Sequence, residues 1–248
     1  MRAGQRAERL RDLPLRVVRL ASLTTTAVAA GTEALVEGDV AAAQRVIDDD
    51  DAVDSLRHSI EDECLELLGT GRLTGVDLRF VAGTLRVAHE LERSADLMVN
   101  VAKTTWRLHE QPLDATSRRI VERMGRQAAV QLRVAVNAFA DRDCSWASAL
   151  ADMDEAMDDL EGSLFRHILR AGASETGTTA TATSPEDASP EDASPEDASL
   201  VGAVQLGLVA RHYERIGDHA VTIAEQVSLV VSGERAPRRR RTRVPVAT

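Results

Sequence analysis

The chain contains an internal repeat, and this repeat constrains its fold more strongly than any other feature of the sequence. Moving the segment that starts at Asp39 forward by 104 positions places it on the segment that starts at Asp143. Every acidic position is kept and every apolar position stays apolar. The matched residues of the first copy are Asp39, Ala43, Val46, Asp50, Val53, Asp54 and Leu56. Those of the second copy are Asp143, Ala147, Leu150, Asp154, Met157, Asp158 and Leu160.

A second match connects the later parts of the two copies. A shift of 122 positions carries Glu92 to Glu214 and Asp96 to Asp218, together with four flanking positions. The two shifts differ because a low-complexity segment lies between the matched regions of the second copy. Repetition of this kind indicates that one supersecondary unit has been duplicated.

The composition favours helices in both copies. Aromatic residues make up only 2% of the chain, and Ala, Val, Leu, Arg, Asp and Glu dominate. Straight-chain residues and Ala lose little side-chain freedom in a helix, and the apolar residues recur at steps of three and four. The sequence therefore predicts an all-α fold, with helices over residues 5–36, 40–68, 76–109, 113–140, 144–170 and 200–232.

These helices divide the chain into two three-helix repeats, which cover residues 5–110 and 113–233. The second repeat contains an insertion over residues 174–199, in which Ser-Pro-Glu-Asp-Ala occurs three times. Its only apolar residues are Ala, so we expect it to be a disordered acidic loop. Residues 234–248 include six arginines and are expected to form a basic disordered tail.

The overall charge excludes some classes of partner. The formal net charge is -10, whereas binding to nucleic acid needs clustered Lys and Arg. We therefore expect no nucleic-acid partner. No apolar run approaches the roughly 18 residues of a membrane span, and the N-terminal residues do not resemble a signal peptide. The expected location is the cytoplasm.

Each copy places two acidic pairs on the flank of a helix. Asp50 lies about 40° and Asp54 about 80° from the line of Val46, at roughly 100° per residue. Glu92 and Asp96 stand at the same angles from Ala88. If the second and third helices of a copy pack antiparallel, their four carboxylates converge. Oxygen clusters of this charge suit hard cations such as Mg²⁺, Ca²⁺, Mn²⁺ or iron.

The sequence thus predicts two metal centres with four acidic ligands each. The ligands of the first centre are Asp50, Asp54, Glu92 and Asp96. Those of the second are Asp154, Asp158, Glu214 and Asp218. The alternative is that these acids are simply solvated, or are paired with the nearby Arg57, Arg93, Arg211 and Arg215.

The acidic motifs also carry a resemblance to a known family. Glu214-Arg215-Ile216-Gly217-Asp218-His219-Ala220, followed by Ile223-Ala224-Glu225, resembles the signature of the PhoU family of phosphate-uptake regulators. Glu92-Arg93-Ser94-Ala95-Asp96 resembles its first-repeat counterpart, and Asp77-Leu78-Arg79 lies where the family usually has the same triplet. Two departures are Ser94-Ala95 in place of Ile-Gly, and Thr222 in place of Asn.

The resemblance implies both a fold and a function. The fold is a pair of tandem three-helix bundles related by pseudo-twofold symmetry, each with iron, manganese or magnesium bound at the acidic motifs. The function is regulatory and not enzymatic. Such proteins restrain phosphate uptake and phosphate-starvation signalling by contacting the ATPase subunit of the phosphate ABC transporter and a phosphate-sensing histidine kinase. They are often homodimers, and their association with the membrane is peripheral, through these partners.

Two other functions compete with this one. The first is a carboxylate-bridged metal enzyme, but such helical sites usually pair Glu with a His three residues later, and no His in this chain follows an acid at that spacing. The second is an acidic helical scaffold without metal. Among the remaining candidates, His219 is expected to have a surface or packing role. Asp77 and Arg79 are either a partner contact or a helix cap and an ion pair.

Overall fold

The computed structural model describes residues 2–109, 111–176 and 195–234, and within those ranges the only regular elements are helices. The all-α prediction is confirmed. None of the described helices is both long and apolar enough to cross a membrane. The helices are α1 (Ala3–Glu37), α2 (Val40–Asp48), α3 (Asp50–Gly69), α4 (Gly75–Arg107), α5 (Ala115–Asp141), α6 (Ala147–Thr176) and α7 (Pro195–Ser232), with a 3-10 turn (Cys144–Trp146) before α6.

The two copies share the geometry of their first turn between helices. Gly38 ends α1 in the left-handed conformation, with a φ of 68°, and Asp39 then caps α2 by accepting a hydrogen bond of 2.9 Å from the backbone N–H of Ala42. In the second copy Arg142 ends α5 with a φ of 55°. The side chain of Asp143 then accepts a bond of 2.9 Å from the backbone N–H of Ser145. The predicted capping role of Asp39 is confirmed.

The second helix of the first copy differs from the prediction. Residues 40–68 were expected to form one helix, but the structure has α2 and α3 separated at Asp49. Asp49 keeps a right-handed conformation, with φ -75° and ψ -11°, so the chain continues in nearly the same direction. Four consecutive aspartates occupy residues 48–51. Asp is a poor residue in a helix interior and a good one at a helix start, which explains the break at this point.

The segment between α6 and α7 is shorter at both ends than the predicted insertion, which covered residues 174–199. Helix α6 continues through Thr176 and helix α7 begins at Pro195. Pro suits the first position of a helix, because it has no N–H to leave unpaired there and its φ is already helical. Residues 174–176 and 195–199, which were expected to belong to the loop, are therefore helical. Residues 177–194 and the predicted basic tail from 235 onwards lie outside the described residues.

The helices form the predicted pair of three-helix bundles. In the first bundle α1 and α3 both pack on α4, and α2 packs on α1 and α4. In the second bundle α5 and α6 both pack on α7. The bundles join through corresponding helices, because α1 packs on α5 and α4 packs on α7. One continuous apolar core runs through both bundles, and it includes Leu20 and Val28 of α1, Leu91 of α4, Leu132 of α5 and Ile216 of α7.

A close contact joins the two bundles at the centre of the core. Thr32 of α1 lies against Gly125 of α5, where a Cβ atom would stand only 2.3 Å from Thr32 Oγ1. Thr32 Oγ1 also lies 2.7 Å from the hydroxyl of Tyr213 on α7, and both groups are buried. The absence of a side chain at Gly125 therefore sets how closely α1 and α5 approach.

We expect Gly125→Ala to destabilise the protein by about 1–3 kcal/mol, the usual cost of overpacking a core. Ala is the better helix former by about 1 kcal/mol, so a loss of stability isolates the clash with Thr32. Urea denaturation measures the effect. Gly162→Ala is the matched control, because its nearest neighbour beyond its own helix turn is the flexible end of Arg166. Equal stability of the two variants would contradict the close contact.

Candidate metal centres

The first acidic cluster lies between α3 and α4, where the charges of its predicted members act on one another. Burial, followed by the charges of Asp96, Asp54 and Glu92, raises the pKa of Asp50 to about 6. Burial and the charge of Asp96 likewise raise the pKa of Glu92. The carboxylates of the two helices therefore repel one another across the interface, as the shared angular position of the two pairs predicts.

Two basic side chains stand beside this first cluster. His89 Nδ1 lies 3.4 Å from Glu92 Oε2, one turn before it on α4. The guanidinium of Arg57 lowers the pKa of Glu92 through its charge, and it also forms an ion pair of 2.6 Å with Glu61. His89 therefore stands within ion-pair distance of a predicted ligand, whereas the ion pair of Arg57 is with Glu61, which is not one of the predicted ligands.

The second acidic cluster lies between α6 and α7 and is more convergent. Ligand oxygens of Asp158, Glu161 and Glu214 all lie within 4.8 Å of one another. Across the described residues, this is the only group of three or more His, Cys, Asp or Glu side chains that meets this spacing. Glu214 is buried, with 1% of its surface exposed. Arg211 partly balances the cluster, with Nη1 2.9 Å from Glu214 Oε2 and 3.7 Å from Glu161 Oε1.

Of the remaining predicted members of the second cluster, Asp154 lies against Gly217 of α7. A Cβ atom on Gly217 would stand 3.6 Å from Asp154 Oδ1 and 3.4 Å from Oε1 of Gln131 on α5. Asp218 follows Gly217 on α7, four residues after Glu214. Gln131 is completely buried, and neither end of its amide has a hydrogen-bond partner. A buried polar amide and the carboxylate of Asp154 thus both lie against Gly217.

Sequence reasoning missed Glu161. It stands seven residues after Asp154 and three after Asp158, so all three lie on one face of α6. That spacing is a signal in the sequence. The comparison between copies concealed it, because the corresponding position of the first copy is Arg57. Gln131 was also missed, since its counterpart in the first copy is Ala27 and only packing brings it to Gly217.

The residues present fit a hard cation. Both clusters offer carboxylate oxygens, which Mg²⁺, Mn²⁺ and iron accept as ligands. In the second cluster three such oxygens converge. A bound cation would offset the repulsion that raises the pKa of Asp50 in the first cluster. The eight ligand assignments and the identity of the metal stay predictions.

His219 is buried between the bundles. Its Nδ1 lies 2.9 Å from Ser94 Oγ on α4, and its Nε2 lies 3.8 Å from Oε2 of the buried Glu90. Burial lowers the pKa of His219 to about 4, so the ring is neutral at pH 7. These contacts agree with the packing role that was expected for His219.

Asp77 and Arg79 have structural contacts at the opposite end of α4. Arg79 Nε donates a hydrogen bond of 3.0 Å to the carbonyl of Val230, in the last turn of α7. A cation at this place complements the negative end of the helix dipole. Asp77 lies 3.9 Å from Arg142 Nη2. Asp77 lies in the first turn of α4, whose N-cap is Thr74, so the expected helix cap is not formed by Asp77. The ion pair of Asp77 with Arg142 is present, and a contact of these two residues with a partner stays a prediction.

We expect Asp50→Asn to stabilise the metal-free protein at pH 7 by about 1 kcal/mol, a value reduced for solvent screening of a half-buried group. Because the folded pKa of Asp50 is about 6 and the ordinary value is 3.8, the folded state binds more protons than the unfolded state between those values. The stabilising contribution of Asp50 to the free energy of unfolding is fully present below about pH 4 and is lost as the pH rises through 6.

Urea denaturation of EDTA-treated protein between pH 4 and 7 measures this effect. The variant should show a flatter dependence of unfolding free energy on pH than the unmodified chain. Asp62→Asn is the control, because Asp62 is an exposed acid on the same helix. A steeper dependence in Asp50→Asn than in the control would contradict the repulsion within the first cluster.

The chain has clear relatives among known proteins. The sequence model of the PhoU domain matches residues 17–105 and again residues 121–227. The starts of these two ranges differ by the shift that relates Asp39 to Asp143, and their ends differ by the shift that relates Glu92 to Glu214. The internal repeat is therefore a repeat of this domain.

Two curated relatives match over nearly the whole chain. The phosphate-specific transport system accessory protein PhoU homolog of Rhizobium meliloti (strain 1021) is 29% identical, covering 91% of this chain and 86% of that protein. The PhoU homolog 1 of Mycobacterium bovis (strain ATCC BAA-935 / AF2122/97), which has the same description, is 30% identical, covering 91% of this chain and 92% of that protein.

Two crystal structures share the fold. PhoU from Pseudomonas aeruginosa superimposes with a TM-score of 0.77 at 24% identity, covering 92% of this chain and 99% of that one. The phosphate transport system regulatory protein PhoU from Streptococcus pneumoniae does so with a TM-score of 0.76 at 23% identity, covering 94% of this chain and 99% of that one. At these identities the likeness shows the arrangement of helices.

Proposed function

The chain belongs to the PhoU family, and from that premise we propose that it is a metal-binding regulatory adaptor of phosphate uptake. In this role it restrains phosphate transport and phosphate-starvation signalling. It does so by contacting the ATPase subunit of a phosphate ABC transporter and a phosphate-sensing histidine kinase. It acts in the cytoplasm as a homodimer, without enzymatic activity, and it reaches the membrane only through these partners.

The duplicated PhoU domain is the observation that carries this proposal. Both matches lie in one chain that also covers most of its curated relatives, and those relatives are described as accessory proteins of phosphate-specific transport. The helices that bear the acidic motifs are present in both copies and pack as pairs. An accessory role agrees with a surface made of helices and charged residues, because adaptors act through their surfaces.

Metal binding is the second part of the proposal. Asp50, Asp54, Glu92 and Asp96 would hold one ion or ion cluster, and Asp154, Asp158, Glu214 and Asp218 another, with iron, manganese or magnesium as the metal. The bound cation would neutralise the mutual repulsion of these carboxylates and tie α3 to α4 and α6 to α7. The support for this is the coupling of charges in the first cluster and the convergence of oxygens in the second.

Metal binding is tested by replacing the two acids that α7 contributes to the second centre. We expect the double variant Glu214→Gln, Asp218→Asn to retain less Mn²⁺ per chain than the unmodified protein, because loss of two charges next to a divalent ion weakens a site strongly. Mass spectrometry of metals after dialysis measures this. Asp152→Asn, Asp159→Asn is the control, since both acids are exposed on α6. A scaffold without metal would show no bound metal in any of the three proteins.

The partners are tested by capturing proteins from cells grown at high and at low phosphate, with the full chain as bait. We expect to recover a phosphate-transporter ATPase subunit or a sensor kinase, because an accessory protein must contact the machinery that it regulates. Binding of the purified partner then checks each candidate directly. Recovery only of proteins unrelated to phosphate would contradict the regulatory role, even if the chain binds metal.

A further inference from the structure

The second bundle has an exposed apolar face, which α6 and α7 form together. Residues 199–210 of α7 contain no charged side chain. Five large apolar side chains of the two helices are between 40% and 71% exposed, and we call them the α6–α7 apolar face. They are Phe165, Leu169, Val201, Val204 and Leu208. At about 100° per residue the members on α7 lie within about 60° of one another and those on α6 within about 40°, so each helix presents one stripe.

The two stripes are neighbours, and they form a flat surface. A Cβ atom on Gly207 of α7 would stand 3.3 Å from the ring of Phe165 on α6. The ring therefore fills the groove between the two helices at this level. Because Asp158 of α6 meets Glu214 of α7, the helices run antiparallel, and Leu169 stands near the level of Val204.

The corresponding face of the first bundle is polar. Three of the five positions carry a charged residue in the first copy. The pairs, with the second copy first, are Phe165 and Glu61, Val201 and Arg79, and Leu208 and Arg86. In the first bundle Glu61 pairs with Arg57, and Arg86 pairs with Glu90, each at 2.6 Å. The three-helix unit therefore folds with charges at these places, and folding of the unit does not explain why the second copy has apolar residues there.

A surface of this kind indicates an interface. Several large apolar side chains that are exposed side by side mark a place where another molecule binds. Charged residues are depleted at the centre of an interface, and homodimer interfaces are more apolar than transient ones. The absence of charge over residues 199–210 is therefore typical of a face that is covered permanently.

The shape of the face favours a second two-helix face as its cover. A single amphipathic helix binds in a groove, whereas Phe165 fills the groove between α6 and α7. The apolar face is about 10 Å long and about 20 Å wide, from the rise per residue and the spacing of packed helices. It is therefore the size of an interface centre, and bordering charged residues such as Arg166 would form the polar rim.

The charge of the chain favours the same cover. Each copy has a formal net charge of -10, so two copies repel each other over most of their surfaces. An uncharged face adds no like charge where it meets itself. The α6–α7 apolar face is thus a place where two copies can approach while burying apolar surface.

From these observations we infer that the α6–α7 apolar face is the interface between two copies of this chain, which pack face to face about a twofold axis. The inference rests on the homodimer of the proposed function and assigns its interface to the second repeat. Such an interface is isologous, so each residue of the face contributes twice. The first repeat of each copy is left outside the interface.

The oligomeric state of the full chain tests the inference. Sedimentation equilibrium measures it against the mass of one chain, 26.8 kDa. We expect the unmodified chain to be a dimer, and Leu169→Glu and Leu208→Arg each to raise the Kd of the dimer at least about tenfold, since each buries two charges without partners. Leu208→Arg introduces the residue that the first copy has at this position.

Leu65→Glu is the matched control for Leu169→Glu. Leu65 occupies the position of the first copy that corresponds to Leu169, and it is also exposed, at 53%. We expect Leu65→Glu to leave the Kd of the dimer unchanged, because the first repeat lies outside the interface. Circular dichroism checks that all three variants are folded, and substitution at exposed positions is usually tolerated.

Four outcomes would overturn the inference. A dimer that keeps its Kd in both Leu169→Glu and Leu208→Arg places the interface elsewhere and leaves the homodimer standing. An equal loss of the dimer in Leu65→Glu does not single out the second repeat. An unmodified chain that stays monomeric up to about 100 μM, well above a micromolar Kd, removes the homodimer as well, while the phosphate-related partners are tested separately by capture. A monomeric chain whose binding to a purified transporter ATPase is lost in Leu169→Glu assigns the face to that partner.

Discussion

Burial of apolar stripes between neighbouring helices determines the rest of this structure, including the positions of its charges. α3 packs on α4 and α6 packs on α7 because their apolar residues belong to one core. The acids are on the flanks of these stripes, so the same packing brings like charges together. The raised pKa of Asp50 reports the resulting repulsion. The free energy gained by the core exceeds this cost, and a bound cation would remove it.

The contact between the bundles uses different chemistry on its two sides. Between α1 and α5 the helices approach closely at Gly125, and Thr32 extends the contact to the hydroxyl of Tyr213 on α7. Between α4 and α7 the contact includes a polar group in the core, His219 with Ser94. Because His219 adjoins Asp218, the residue next to a predicted ligand is anchored in the opposite bundle. The residue that follows Asp218 on α7 therefore contacts the first bundle.

Duplication and divergence together explain the composition of the two clusters. The acids recur in both copies, and the ranges of the two domain matches keep the same shifts. The residues around the acids have changed. Arg57 of the first copy corresponds to Glu161 of the second, and Ala27 corresponds to Gln131. A repeat that keeps its charged motif but changes the neighbouring residues produces two acidic clusters with different electrostatic surroundings.

The sequence by itself determined the helical class, the duplication and the angular positions of the acidic pairs, because periodicity and composition are local properties. It also placed the cap at Asp39 and the change of helix after Gly38. Only the tertiary structure decided which side chains from different helices meet. The contacts of Gln131 with Gly217, of Glu161 with Glu214 and of Thr32 with Tyr213 join residues on separate helices. No local pattern encodes them, since they depend on how closely the helices pack and on their relative rotation.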